Sequence, residues 1–190
     1  MNILVKNYGT DICTFRPETT WEKNSRDFYP QEDITALAFS PVLCAHISRA
    51  GRSVQQKFAS RYFDTVGYGV FLYDEGLLNS GDPVSYAAAS CIDHTSFIPL
   101  PTHDRTILGL TDRHFILKKG EEVLTDYSDG GIALIERAIA CATAHSYIRT
   151  GDFLCIELAP VTHLCDRSDG TTHITATLAD TPLLDFNIIM

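Results

Sequence analysis

The sequence predicts an α+β protein in which β-structure predominates. Three observations carry that expectation. Short runs of apolar and β-branched residues recur along the chain, bounded by Gly, Pro, Asn or Asp, as in a fold of many short strands. Thr171 to Leu178 alternates threonine with apolar residues, the period of a strand buried on one face. Only residues 131–147 sustain a helical period at length, with Ile132, Ile135, Ile139 and Ala142 along one stripe.

In chain order, Met1 to Lys6 reads as a first strand and lacks the basic segment and long apolar run of a signal peptide. Residues 7–33 are irregular, broken by Pro17 and Pro30. Residues 34–48 are extended, and Pro41 within them marks a bulge or strand junction. Val54, Phe58 and Tyr62 recur at four-residue spacing, so 53–64 is expected to be a short amphipathic helix. Val66 to Tyr73 is a strand whose Gly67 and Gly69 signal close backbone approach or a bend. Residues 74–95 mix turn and short helix. Strands are expected near 96–100, 107–110, 113–118 and 121–126, with a hairpin turn at Lys118-Lys119-Gly120-Glu121-Glu122. Ser128 or Asp129 can cap the helix at 131–147. Strands at Phe153–Leu158, Thr171–Leu178 and Leu183–Ile189 finish the chain, with a turn at Asp169-Gly170.

The 190 residues carry no internal repeat and no linker, so 1–190 is expected to be a single domain. The formal net charge of −9 disfavours nucleic acid and anionic membrane as partners. No stretch of about 18 apolar residues predicts a membrane span. Six cysteines without a C-x-x-C pair or an export signal point to reduced thiols in the cytoplasm.

Three stretches resemble the catalytic domain of the fumarylacetoacetate hydrolase family. The specific one runs from His46-Ile47-Ser48-Arg49-Ala50-Gly51 through Phe58-Ala59-Ser60-Arg61-Tyr62-Phe63-Asp64 to Gly67-Tyr68-Gly69-Val70. It is similar to the family's glycine turn, "FA-x-x-Y-x-D" segment and "GxG" strand, in order and without gaps. Ile148-Arg149-Thr150-Gly151-Asp152-Phe153-Leu154 is similar to its "L-x-x-GD-x-I" element, and Leu183 to Ile189 to its closing strand. The resemblance covers about residue 16 to the end. It implies a mixed β-roll or sandwich-like core with two or three short helices, and a homodimer.

The resemblance also implies a metal site. Active members hold Mg²⁺ or Mn²⁺ through a Glu-x-Glu pair on the strand before the glycine turn and an Asp after the "GxG" strand. Hard divalent ions need such oxygen donors, and the ion then polarises the carbonyl of an oxo- or diketo-acid. Carried over residue by residue, the pair falls on Ser40 and Val42 and the Asp on Phe71. The family's lysine falls near Ser90, and its "GTP" loop on Glu157-Leu158-Ala159. The family's lid helix, with its His and Glu, would precede residue 20, where only Asn7-Tyr8-Gly9-Thr10-Asp11 stands, so the lid region is shortened. No Glu or Asp lies between Ile34 and Lys57. The expectation is a catalytically degenerate relative with no bound metal, serving to bind a small ligand or an active paralogue. The alternative is an active hydrolase, isomerase or decarboxylase of oxo- or diketo-acids with a site rebuilt from Asp74, Glu75, Asp93, His94 and Glu157.

Other clusters have plainer readings. His163-x-Cys165-Asp166 with His173 fits no standard zinc spacing. In Cys91-x-Asp93-His94, near neighbours on an extended chain face apart, which disfavours a Cys–His dyad. Asp74-Glu75 reads as a solvated helix start. His103-Asp104-Arg105 and Asp112-Arg113-His114 read as surface turns.

Overall fold

The apolar run Ala36–Ile47 becomes the strand around which the larger sheet is organised. The computed structural model describes residues 1–100, 102–110, 113–129 and 131–190. In chain order these form β1 (Ile3–Lys6), β2 (Cys13–Arg16), β3 (Trp21–Glu22), β4 (Ala36–Ile47), β5 (Phe63–Asp74), α1 (Glu75–Leu78), α2 (Pro83–Ala89) and β6 (Ser96–Phe97). There follow β7 (His103–Asp104), β8 (Phe115–Lys119), β9 (Glu122–Tyr127), α3 (Ile132–His145), β10 (Phe153–Glu157), β11 (Thr162–Asp166), β12 (Thr171–Leu178) and β13 (Thr181–Ile189). The class is α+β, mainly β, as the sequence predicts.

The larger sheet is mixed and runs β2-β1-β10-β4-β5-β6-β3, with β11 also on β4 and β7 on β5. The smaller is antiparallel, in the order β13-β12-β8-β9. Leu37, Phe39, Leu43 and Ala45 on one face of β4 enter the main core with α3 and the smaller sheet. Two ring stacks lock the sheets together, Tyr68 on Phe115 at 5.1 Å and Phe97 on Phe186 at 3.8 Å between centroids.

Pro41 is the strand junction that its chemistry requires. On one side it pairs with Val70 of β5. On the other, β10 ends at the pair Glu157–Val42 and β11 begins at Thr162–Phe39. Pro41 sits in the gap between them, where no ladder N–H is needed. The bulge in the β4–β5 register comes later, between His46 and Ile47.

Several local expectations are corrected. Residues 53–64 form no amphipathic α-helix; Gln56–Arg61 is a 3₁₀ turn and Phe63 already begins β5. Phe58, meant to lie on the buried face, is exposed under Lys57 and Arg61. Residues 105–109 are a 3₁₀ turn capped by Asp104, not a strand. The N-cap of α3 is Gly131 with no side-chain bond; the Ser128 and Asp129 carbonyls accept from Arg113 instead. Ile132 is exposed, and the buried stripe is Ile135, Ala138, Ile139 and Ala142. Residues 7–33 contain β2 and β3. Arg113 is buried rather than on a surface turn; Asp112 lies outside the described residues. The hairpin at Gly120 forms as expected, with that glycine at φ 55°.

Candidate functional site

Directly opposed residues of neighbouring strands share a face of the sheet. Ser40 opposes Phe71, Ala38 opposes Tyr73, and Val42 opposes Glu157. All therefore lie on the face turned away from the main core. There Val42, Phe71 and Tyr73 pack with Ile3, Val5 and Cys155 in a second, smaller apolar cluster. Ser40, Val42 and Phe71 are each 0% exposed. The Ser40 hydroxyl donates to the Ala159 carbonyl at 2.9 Å.

A cation already rests on this face. Arg16, at the end of β2, is 1% exposed. Its guanidinium lies 4.4 Å above the centre of the Phe71 ring and 4.7 Å from that of Tyr73. Nη2 donates to the Leu72 carbonyl and to Thr95 Oγ1, both at 2.8 Å. Nε and Nη1 find no oxygen partner among the described residues. Burial pushes the Arg16 pKa down, while Tyr73 and Glu157 hold it up. Two π faces and a nearby carboxylate offset the desolvation that isolating the charge would cost.

Glu157, 5% exposed, ends β10 and is held at both oxygens. The Tyr73 hydroxyl donates to Oε1, and the Tyr8 backbone N–H donates to Oε2 at 2.9 Å. Burial first, and the Glu157 charge second, push the Tyr86 phenol up to about 12. Burial likewise raises Tyr73 well above its ordinary value. Both phenols thus remain protonated donors at neutral pH. Asn7 Nδ2 donates to the Tyr86 hydroxyl, and its Oδ1 accepts from Thr14 Oγ1 at 3.1 Å.

Glu157 and Tyr86 open onto a cleft of about 720 Å³, within the range of small-molecule sites. Its walls are mostly apolar and include Tyr8, Ile12, Phe15, Pro83, Ala87 and Val161. One wall is the segment from Asn7 to Phe15; another is α2. Ser90, just past α2, also lines the cleft, and its hydroxyl donates back to the Ala87 carbonyl at 2.8 Å.

The start of α2 depends on Asp82. Its carboxylate accepts from the Val84 and Ser85 amides at 2.9 and 3.0 Å and from the Ser80 and Ser85 hydroxyls. The Ser85 hydroxyl is the main cause that lowers its pKa from 3.8 to about 2. A depressed acid stabilises the fold fully above its unfolded pKa, and that contribution is lost as pH falls through the folded value. The denaturation midpoint is therefore expected to fall between pH 4 and 2 partly through this cap. An Asp82→Asn variant should show a shallower decline over that window when urea midpoints are compared. Equal slopes would remove Asp82 from the account.

The other candidate residues are dispersed. Asp74 caps α1 by accepting from the Leu77 amide at 3.3 Å. Glu75 accepts from His163 Nδ1 at 2.6 Å on the surface. Asp93 and His94 line a different cleft, where His94, at φ 60°, lies 3.4 Å from Glu22. Cys91 is exposed and His94 turns to Glu22, so they form no dyad. His173 pairs with Asp185, not with His163 or Cys165. Of the five acids and histidines proposed for a rebuilt site, only Glu157 lines the large cleft. Among the described residues no group of three His, Cys, Asp or Glu is placed to hold a metal ion. Arg16, Tyr73 and Tyr86, which complete the site, carry no local sequence signal. Arg16 stands at a strand end, where a charged residue is ordinarily solvated.

No helix among the described residues is long and apolar enough to cross a membrane. No family sequence model matches the chain, and no curated protein matches it significantly. Solved structures do. Fumarylpyruvate hydrolase from Pseudomonas aeruginosa, in complex with Mn²⁺ and pyruvate, superposes with a TM-score of 0.81 at 11% identity, over 100% of this chain and 90% of that one. The 2-hydroxyhepta-2,4-diene-1,7-dioate isomerase from Mycobacterium marinum gives 0.79 at 12%, over 99% and 74%. A Yersinia pestis protein described as a fumarylacetoacetate hydrolase family member gives 0.76 at 14%, over 99% and 92%. The fold of this chain is therefore the one shared by solved members of the fumarylacetoacetate hydrolase family.

Proposed function

We propose that this chain is a metal-independent, catalytically degenerate relative of the fumarylacetoacetate hydrolases that binds a small molecule in the cleft above Glu157. The observation that carries the reading is the Arg16 guanidinium stacked on Phe71. Phe71 stands where the resemblance puts one metal-binding carboxylate, and Ser40 and Val42 stand where it puts the other two. A divalent ion there would meet a hydroxyl already donated to Ala159, a valine, a phenyl ring and a resident positive charge. Nothing in that set offsets its dehydration. The donor set does not fit Mg²⁺ or Mn²⁺, and no step of a mechanism is drawn through either. Ser90, near which the resemblance puts the family's lysine, supplies no ammonium and is turned back on its own helix.

The dispersal of Asp74, Glu75, Asp93 and His94 also favours this reading over a rebuilt hydrolase site. What the cleft retains is the capacity to bind: a concave, largely apolar volume with one fixed carboxylate.

Metal titration tests the reading. A site with a dissociation constant one hundredth of the added metal would stabilise the fold by about 2.7 kcal/mol. In a chain of this size that is a rise in Tm of about 5–10 °C. Millimolar Mn²⁺ or Mg²⁺ is expected to produce no saturable heat and no such rise. Acylpyruvates and oxaloacetate should not turn over with or without metal. Saturable binding with the rise, or turnover, would overturn the proposal.

A further inference from the structure

The chemistry of the cleft specifies what kind of molecule it takes. Among the described residues, Glu157 is the only charged side chain in its lining. Its two oxygens are fixed by Tyr73 and the Tyr8 amide. A carboxylate has about four lone-pair positions, so each oxygen can accept once more from a ligand. Two cations stand close by without reaching the cleft surface. Arg16 is sealed at 1% exposure, against Phe71 and Tyr73. Lys6 Nζ donates to the Thr10 carbonyl and lies 3.6 Å from Asp11. Neither lines the cleft, so a ligand anion would meet no cationic N–H there. It would meet a carboxylate that accepts hydrogen bonds and offers none, whereas an ammonium can donate to it.

From this arrangement we propose that the cleft binds a mainly apolar molecule ending in an ammonium group, an arylalkylamine in chemical class, and rejects carboxylates. The ammonium donates to Glu157, while the aromatic body lies against Tyr8, Phe15, Pro83 and Val161. A charge-assisted hydrogen bond in a desolvated site adds strength and direction, and the apolar walls add burial. This selectivity is opposite in charge to that of a pocket built for an oxo-acid. The proposal rests on the reading of the cleft as a metal-free ligand site.

The test uses the intact chain and two probes of similar shape and opposite charge, 2-phenylethylammonium and 3-phenylpropanoate, with uncharged 2-phenylethanol as reference. Binding is followed by isothermal calorimetry and by amide chemical shifts of residues 7–15 and 83–90. The ammonium is expected to bind at least about tenfold more tightly than the carboxylate. Glu157→Gln should shrink that ratio to within about threefold. The wild-type ratio stands by itself if the variant fails to fold. A carboxylate that binds as well as the ammonium, or better, overturns the selectivity and leaves the cleft a ligand site. No saturable binding of any probe at millimolar concentration overturns both. Shifts at residues 92–94 instead, in the separate cleft lined by Asp93 and His94, overturn the assignment to Glu157.

Discussion

An Arg16→Ala variant is expected to lose about 3–5 kcal/mol of stability, the usual cost of removing one partner from a buried charge system. The structure gives three separate reasons. The Leu72 carbonyl and Thr95 hydroxyl lose a donor at 2.8 Å. The volume over Phe71 and Tyr73 empties. Glu157, 5% exposed, loses its buried counter-charge. One consideration opposes these. Nε and Nη1 of Arg16 are unpartnered among the described residues, so the native arrangement itself carries a desolvation cost. The two ring faces, each worth about 2 kcal/mol when desolvated, offset that cost, and loss is the expected outcome.

A double variant separates charge from volume. Arg16→Met with Glu157→Gln removes both charges and retains much of the side-chain bulk. It should be more stable than Arg16→Ala, and the two substitutions should be non-additive. Urea denaturation of the wild type, Arg16→Ala, the single variants Arg16→Met and Glu157→Gln, and the double variant measures this. A change below about 1 kcal/mol for Arg16→Ala would mean that the guanidinium is not the keystone of this face, and the case against a metal would weaken with it.

Gly69→Ala is the second large effect. A Cβ at Gly69 would stand 2.0 Å from the Phe97 carbonyl oxygen and 3.1 Å from its carbon. Both are backbone atoms of β6, the strand that pairs with β5 through Val70–Phe97, so no rotamer change relieves the clash. Moving β6 would in turn pull Phe97 off Phe186, where the two sheets meet. Overpacking ordinarily costs 1–3 kcal/mol; with only backbone to yield, about 3 kcal/mol or more is expected. Gly67→Ala is the internal control. Its Cβ would come no closer than 3.3 Å to the methyl of Thr102, a side chain that can turn, and a loss below about 1 kcal/mol is expected. Equal tolerance of the two alanines, judged by soluble yield and thermal midpoint, would contradict the close approach of β5 and β6.

The same glycines mark where local reading succeeds. Gly67 and Gly69 signal close approach in the sequence, and Gly69 makes it. Pro41 signals a junction, because a residue without an N–H cannot sit where the ladder needs one, and the junction is there. Gly120 gives the β8–β9 hairpin. The alternation of Thr171–Leu178 gives a strand whose apolar residues are buried. Where local reading fails, tertiary contacts outweigh period. Val54, Phe58 and Tyr62 have helical spacing but are followed at once by β5, whose long pairing with β4 takes the chain into the sheet from Phe63. Arg113 looks like a surface turn and is buried, donating to Leu108, Ser128 and Asp129.

The sequence by itself therefore determined the β-rich class, most strands, the long helix and the residues standing at Ser40, Val42, Phe71 and Ser90. Each of these depends on period-two or period-3.6 patterning, on turn chemistry, or on side-chain identity, all of which act over a few neighbouring residues. Only the tertiary structure decided what those positions face. Arg16 meets Leu72 across 56 residues, and Tyr8 meets Glu157 across 149. Contacts at such separations come from the order of strands in a sheet, not from any local preference. For that reason the buried guanidinium and the carboxylate-floored cleft emerged only when the chain was folded.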